Sequence, residues 1–282
     1  MKYYYLILYL MINICFSQSA FSRFIVPVYI ESEFSYGYDN NYLKLSSPEQ
    51  EDDMYYILGD SNYIDSNINK SKISVLYIPY IFHNHETKFD FKITASKYSS
   101  SKLKSYKNYY FRFSQHLASY AWLKFDYSYT PSFYIKSYSQ SDPYIVYDFE
   151  ENSYMPASFS SEKIGFSLDF PFSIPFKRTY VSLKYSLESQ YYNPDFLEFD
   201  LEIKNYYIKI RKKILKHYNI SIAYMQSYAD NISYMNGLLS TSDKDRSYNQ
   251  ERFSIAFSIQ KISLFNQKIS TGIYSNFESR NF

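Results

Sequence analysis

The chain has 282 residues and a formal net charge of +2, and 22% of it is aromatic, with 37 Tyr and 24 Phe against a single Trp. That balance gives no electrostatic argument for a nucleic-acid or strongly acidic partner, and beyond the N-terminal segment no run approaches ~18 apolar residues, which excludes a helical membrane protein. With only 5 Gly in the chain, turns must be built from Asn, Asp, Ser and Pro.

The first segment, MKYYYLILYLMINICFSQSAFS, sets Lys2 before an apolar run from Tyr3 to Phe16, with small residues at Ser17, Ser19 and Ala20. This is the layout of a secretory signal, so the expected organisation is a signal peptide over 1–19 and one β-domain over 20–282. Cys15, the only cysteine, lies inside the signal, and the bulky Ile14 before it argues against lipoprotein processing. An exported domain without disulfides must rely on a large core or on closure of a sheet.

Period-two alternation and turn residues divide the remainder into about eleven strand candidates. In chain order they cover 27–38, 73–82, 89–98, 108–115, 120–135, two strands within 162–189 joined by PFSIPFKR, then 196–213, 219–228, 252–260 and 268–277. The connections 39–72, 139–158 and 229–249 are long and polar, whereas HNHETK, HLAS, PFSIPFKR and ILKHY are short.

The clearest alternation is EKIGFSLDF followed by TYVSLKYSLES. Ile164, Phe166, Leu168 and Phe170 alternate with Lys163, Gly165, Ser167 and Asp169, and Val181, Leu183, Tyr185 and Leu187 with Ser182, Lys184, Ser186 and Glu188. Each such strand has one face in an apolar medium and the other in a polar one. A β-sandwich core and a lipid bilayer both satisfy that pattern. Three features favour the bilayer. Strand candidates run to about ten residues or more, which is what a tilted strand needs to cross it. Tyr and Phe gather at strand ends, as in SYGY, KNYYF, DYSYTPSFY and IAYMQSY, where an interfacial girdle sits. Long and short connections also alternate, as they do on the two sides of an outer membrane.

On these residues the mature chain resembles, at class level, the bacterial outer-membrane β-barrel proteins. YGYDNNYLKLSS (36–47) is similar to a GYDxN start found in many such barrels, and Phe282 is a terminal aromatic of the expected kind. Asn276, Glu278 and Arg280 stand where that class has apolar residues. The resemblance implies an all-β, antiparallel up-and-down transmembrane barrel of about 12 strands, or alternatively 10, since bacterial barrels are normally even-numbered. It implies membrane lipid and lipopolysaccharide as surroundings, with small solutes or ions as traffic.

Chemistry-bearing motifs are few. His83, His85, His116 and His217 lack a Cys or a third ligand nearby in sequence, so HNH (83–85) reads as a turn rather than a metal site. No His is followed two residues later by Ser, as an outer-membrane phospholipase arrangement requires, and no His lies near a long connection. The expectation is a non-enzyme without a cofactor. The acidic PEQEDD (48–53) reads as a solvated loop.

The candidate site is a set of lumen-lining charges. Glu198, Asp200, Glu202 and Lys204 share one phase of FLEFDLEIK, and a bulge at NYY is expected to shift the phase so that Lys209, Arg211 and Lys213 also line the interior. Lys163, Asp169, Lys184 and Glu188 join them from the preceding hairpin. Such charges either set solute selectivity or pair off across a filled lumen. The functional expectation is a small porin-like channel. The alternatives are a structural or interaction barrel with partner-binding loops, and a soluble exported β-sandwich that binds a ligand.

Overall fold

The computed structural model describes residues 24–47, 50, 55–82, 85–139, 154–172, 179–214, 218–232, 247–264 and 267–281. The segment expected to be a signal peptide, most of PEQEDD, His83, His217 and Phe282 lie outside them. Among the described residues the alternating segments form strands β1 (Val28–Asp39), β2 (Ser66–Tyr77), β3 (Thr87–Tyr98), β4 (Tyr106–Ala118), β5 (Ala121–Ser139) and β6 (Tyr154–Phe172). They continue as β7 (Thr179–Tyr192), β8 (Leu201–Lys213), β9 (Tyr218–Asn231), β10 (Tyr248–Leu264) and β11 (Gln267–Asn281). All lie in one 11-stranded sheet in the order of the chain, and every neighbouring pair is antiparallel.

This is the strand order of an up-and-down barrel. The sheet is not closed: β1 and β11 are its edges, and both run in the same direction because an odd number of hairpin-linked strands separates entry from exit. The described residues hold eleven strands, where about twelve, or ten, were expected. In the long 39–72 connection the structure places no twelfth strand among the described residues; it holds a single turn of 3-10 helix at Tyr55–Leu58, and β2 starts earlier than expected, at Ser66.

Register joins like with like. Phe89, Phe113, Phe125, Phe166, Tyr185 and Tyr206 form one continuous cross-strand row, and the next residues over, Asp90, Arg112, Asp126, Gly165, Ser186 and Asn205, form a row on the opposite face. The apolar face is uncovered: Phe166 is 50% exposed, Leu183 40% and Ile210 44%. The polar face is the concave one: Asp126 of β5 and Lys184 of β7 meet across β6 at 3.5 Å, and one cavity on that side is lined from β5 through β10. Across the middle of the sheet, apolar residues therefore lie on the exposed face and paired charges on the concave one.

Buried apolar clusters sit at the long-connection end. Tyr42, Leu43, Leu45, Ile57, Leu58 and Tyr134 form one, and Ala157, Phe196 and Phe199 the other, with Tyr138, Met155 and Tyr192 packed against it. Phe196 and Phe199 belong to a short 3-10 turn, Pro194–Phe199, where β8 was expected to have begun. Pro194 suits the first turn, the backbone kinks at Phe196 (φ −137°, ψ 37°), and the Phe196 and Phe199 rings stack 5.8 Å apart.

Candidate functional site

The concave face has three tiers. At the long-connection end an aromatic ceiling runs from strand to strand. Tyr106 meets Phe133 at 5.0 Å, Phe133 meets Phe159 at 5.4 Å, Phe159 meets Tyr192 at 5.1 Å and Tyr192 meets Phe199 at 5.4 Å. Above β2–β5 the connection after β1 folds down as a cap. Asp60 holds it in place, accepting from the backbone N–H of Lys102 at 2.7 Å, that of Leu103 at 3.1 Å and the Ser101 hydroxyl at 2.5 Å. Gly59 adopts φ +67°, and a Cβ there would overlap the Tyr134 hydroxyl, so both conformation and space require glycine.

Lys104 is buried in this cap, donating to the Tyr134 carbonyl oxygen at 2.9 Å with its ammonium 4.7 Å from the Phe133 ring centre. Burial, and secondarily the charge of Lys44, pushes its pKa down to about 8. When the cap opens, Lys104 regains the ordinary value near 10.4. Between these values the opened state binds more protons, so the closed cap gains stability as pH rises through about 8 and is weaker below it. Amide exchange of the Ser99–Ser105 connection, corrected for intrinsic rates, is expected to report roughly tenfold less opening at pH 9.5 than at pH 7.5. Lys104→Met is expected to abolish that difference. Above about pH 10 the Tyr42 hydroxyl, raised by its burial, acts in the opposite sense.

The middle tier is ionic. Asp126 is 7% exposed and meets Arg112 at 2.5 Å, the Tyr110 hydroxyl at 2.8 Å and Lys184 at 3.5 Å. Lys184 reaches Asp126 across β6 at Gly165, whose missing side chain leaves the space: a Cβ there would lie 3.5 Å from Asp126 and 3.6 Å from the Lys184 stem. Lys163 faces Glu188 directly in register, at 2.7 Å. Under β10 and β11, Arg252 pairs with Glu278 at 2.6 Å.

The lowest tier, at the short-turn end, is basic and open. Lys209, Arg211 and Lys213 stand at alternate positions of β8, facing Ser221, Asn219 and Ser258 of β9 and β10 around a cavity of about 750 Å³. Trp122, Lys124, Asp169, Tyr180 and Ser182 close its other side. Lys124 pairs with Asp169 at 2.5 Å, and the Arg211 guanidinium lies 5.2 Å from the Tyr180 ring centre.

Of the lumen-lining charges expected from sequence, Lys163, Asp169, Lys184, Glu188, Lys209 and Arg211 lie on this concave face. Glu202 and Lys204 do not, which corrects the expected acidic band. The β7–β8 register runs without a break from Lys212 to Leu201, so no bulge occurs at Asn205–Tyr207. Glu202 and Lys204 therefore share the outward face with Ile208 and Ile210, and Leu201 and Ile203 turn inward. Lys204 bridges Glu202 at 3.0 Å and Asp230 at 3.4 Å. Glu198 sits in the 3-10 turn, and Asp200 is buried beside it, accepting from the Tyr192 backbone N–H at 2.6 Å.

The cause is an inversion of polarity at the long-connection end. There the inward positions, Tyr98, Tyr106, Phe133 and Ile203, pack under the cap and ceiling, and the outward ones, Lys97, Lys107, Glu162 and Glu202, are charged. Sequence reasoning missed the Arg112–Asp126 pair, whose signal was present: both residues occupy the polar phase of strands linked by a short turn. His85 and His116 approach to 5.4 Å between ring centres, and no group of three or more His, Cys, Asp or Glu suited to a metal occurs among the described residues.

The geometry defines an all-β, single-sheet protein with an ionised concave face. No family model matches the chain, and no curated protein matches it.

Proposed function

We propose that the protein is a transmembrane β-barrel of a bacterial outer membrane, acting as a passive channel for small hydrophilic solutes. One observation carries the reading: a continuous apolar face crosses β2–β10 uncovered, while the ion pairs Arg112–Asp126, Lys124–Asp169 and Lys163–Glu188 behind it line the concave side. A soluble sandwich needs a second sheet over that apolar face, whereas all described strands belong to one sheet. Lipid supplies the missing cover. Ile164 to Phe172 spans about 26 Å of strand at ~3.3 Å per residue, or about 20 Å of height at a tilt of about 40°, on the scale of a barrel's apolar band. Closure brings β1 against β11 as a parallel seam.

A route for solute runs where the concave face is small. β9 and β10 present Ser221, Ala223, Ser254, Ala256 and Ser258 there, and the ceiling rings belong to β4–β7 and the adjoining 3-10 turn. The cap gives some support to a second reading, an interaction barrel with ordered loops. Protein folded from urea into lipid vesicles is expected to migrate as a compact, heat-modifiable band and to give discrete conductance steps in planar bilayers. A folded, inserted protein without conductance favours the interaction barrel; protein that stays in the aqueous phase contradicts both.

A further inference from the structure

We infer that the basic cavity at the short-turn end is a binding site for small oxyanions, those carrying a phosphate or carboxylate group, and that it makes the channel anion-selective. The transport half rests on the channel reading; the binding half stands on the cavity alone.

The cavity lining holds four cations, Lys124, Lys209, Arg211 and Lys213, against one carboxylate, Asp169. Asp169 is engaged by Lys124 at 2.5 Å. Among the described residues Lys209, Arg211 and Lys213 form no ion pair. This departs from the middle tier, where Arg112, Lys163 and Lys184 each meet a carboxylate within 3.5 Å. A lumen filled only for stability would pair these three as well.

The residues around them leave room for a ligand and atoms to hold it. In register, Lys209 faces Ser182 and Ala223, Arg211 faces Tyr180 and Ser221, and Lys213 faces Asn219. Apart from Tyr180 the opposing side chains are short, and all three cations line the cavity. Successive inward residues of a strand lie roughly 7 Å apart, inside the ~10 Å screening length of 0.1 M salt. Their fields overlap, and a low-dielectric wall concentrates counter-ions at such a patch. Ser182, Ser221 and Asn219 add neutral donors, and the Arg211 guanidinium presents the planar fork that suits phosphate and carboxylate oxygens. The Tyr180 ring fixes one side of that guanidinium and leaves its edge for the anion. Lys212, between Arg211 and Lys213, has the opposite phase and serves as a control.

The test uses the full chain folded in detergent, with inorganic phosphate as probe, and a triple variant, Lys209→Gln with Arg211→Gln and Lys213→Gln. Wild type is expected to broaden the phosphorus resonance of phosphate. In bilayers under a potassium chloride gradient it should show chloride over potassium preference of roughly threefold, with phosphate reducing the chloride current. The triple variant should lose the broadening and bring the preference close to one, and Lys212→Gln should change neither. Should the triple variant fail to give the heat-modifiable band, Lys209→Gln and Lys213→Gln are made singly, each expected to weaken the broadening. Broadening absent from wild type, or unchanged in the folded variants, overturns the inference whatever the conductance. A wild type that binds phosphate but does not conduct overturns the channel reading and leaves the binding site standing.

Discussion

Leu183→Lys is expected to destabilise the folded protein in lipid by about 2–4 kcal/mol, the cost of a cation near the middle of a barrel's lipid face. Leu183 stands outward between Leu168 of β6 and Ile208 of β8 and is 40% exposed. In water a lysine at so exposed a site changes stability by about 0.5 kcal/mol or less. The size of the effect therefore measures the medium against which the face rests. Ser254→Lys, on the concave face, is expected to cost about 1 kcal/mol or less. Urea titrations of the vesicle-folded variants read both values, and equal small effects would sink the lipid assignment of this face.

The second large effect is expected at the middle tier. Asp126→Ala removes the acceptor shared by Arg112, Tyr110 and Lys184. Stripping one partner from a fully buried pair costs about 3–5 kcal/mol. Here the Arg112 and Lys184 side chains keep 38% and 37% exposure, and solvent screening discounts the figure to about 2–3 kcal/mol. Adding Arg112→Met is expected to recover a good part of the loss, because the stranded charge and not the missing bond dominates the cost. If the double variant is no more stable than the single one, the charges are solvated and the concave face is not a closed interior.

Both predictions turn on which face each residue occupies, and the sequence carries that information unevenly. Within the apolar band, strict alternation places Ile164 to Phe170 and Val181 to Leu187 on one face, because a period of two leaves no third choice. Outside the band the rule fails for a physical reason. At the long-connection end the inner face meets the cap and the 3-10 turn, so the apolar Ile203 goes in, where it is buried, and the charged Glu202 goes out. Taking polarity as the guide to face inverted the assignment of Glu202 and Lys204, and a bulge then had to be supposed to rescue Lys209 and Arg211. An unbroken register explains all four residues without it.

The cap was equally hidden. Tyr134 lies 77 residues from Ile57 in the chain, and the cluster it makes with Tyr42, Leu45 and Ile57 depends on Gly59 in a left-handed turn and on the Asp60 contacts to the Ser99–Ser105 connection. No local period marks contacts of that span. The basic tier shows the reverse case. Lys209, Arg211 and Lys213 are visible as an alternating triplet, but the residues opposite them, Ser182, Tyr180, Ala223, Ser221 and Asn219, come from register alone.

The lipid-facing assignment is tested most directly by fluorescence quenching from brominated lipid chains. In a Trp122→Phe background, a single Trp is placed at Phe166 or Leu183 on the apolar face, or at Ser221 or Ser254 on the concave face. The account predicts strong quenching of the first two and little of the second pair, in protein folded into the same vesicles. Equal quenching of all four, or quenching of the concave pair alone, contradicts it.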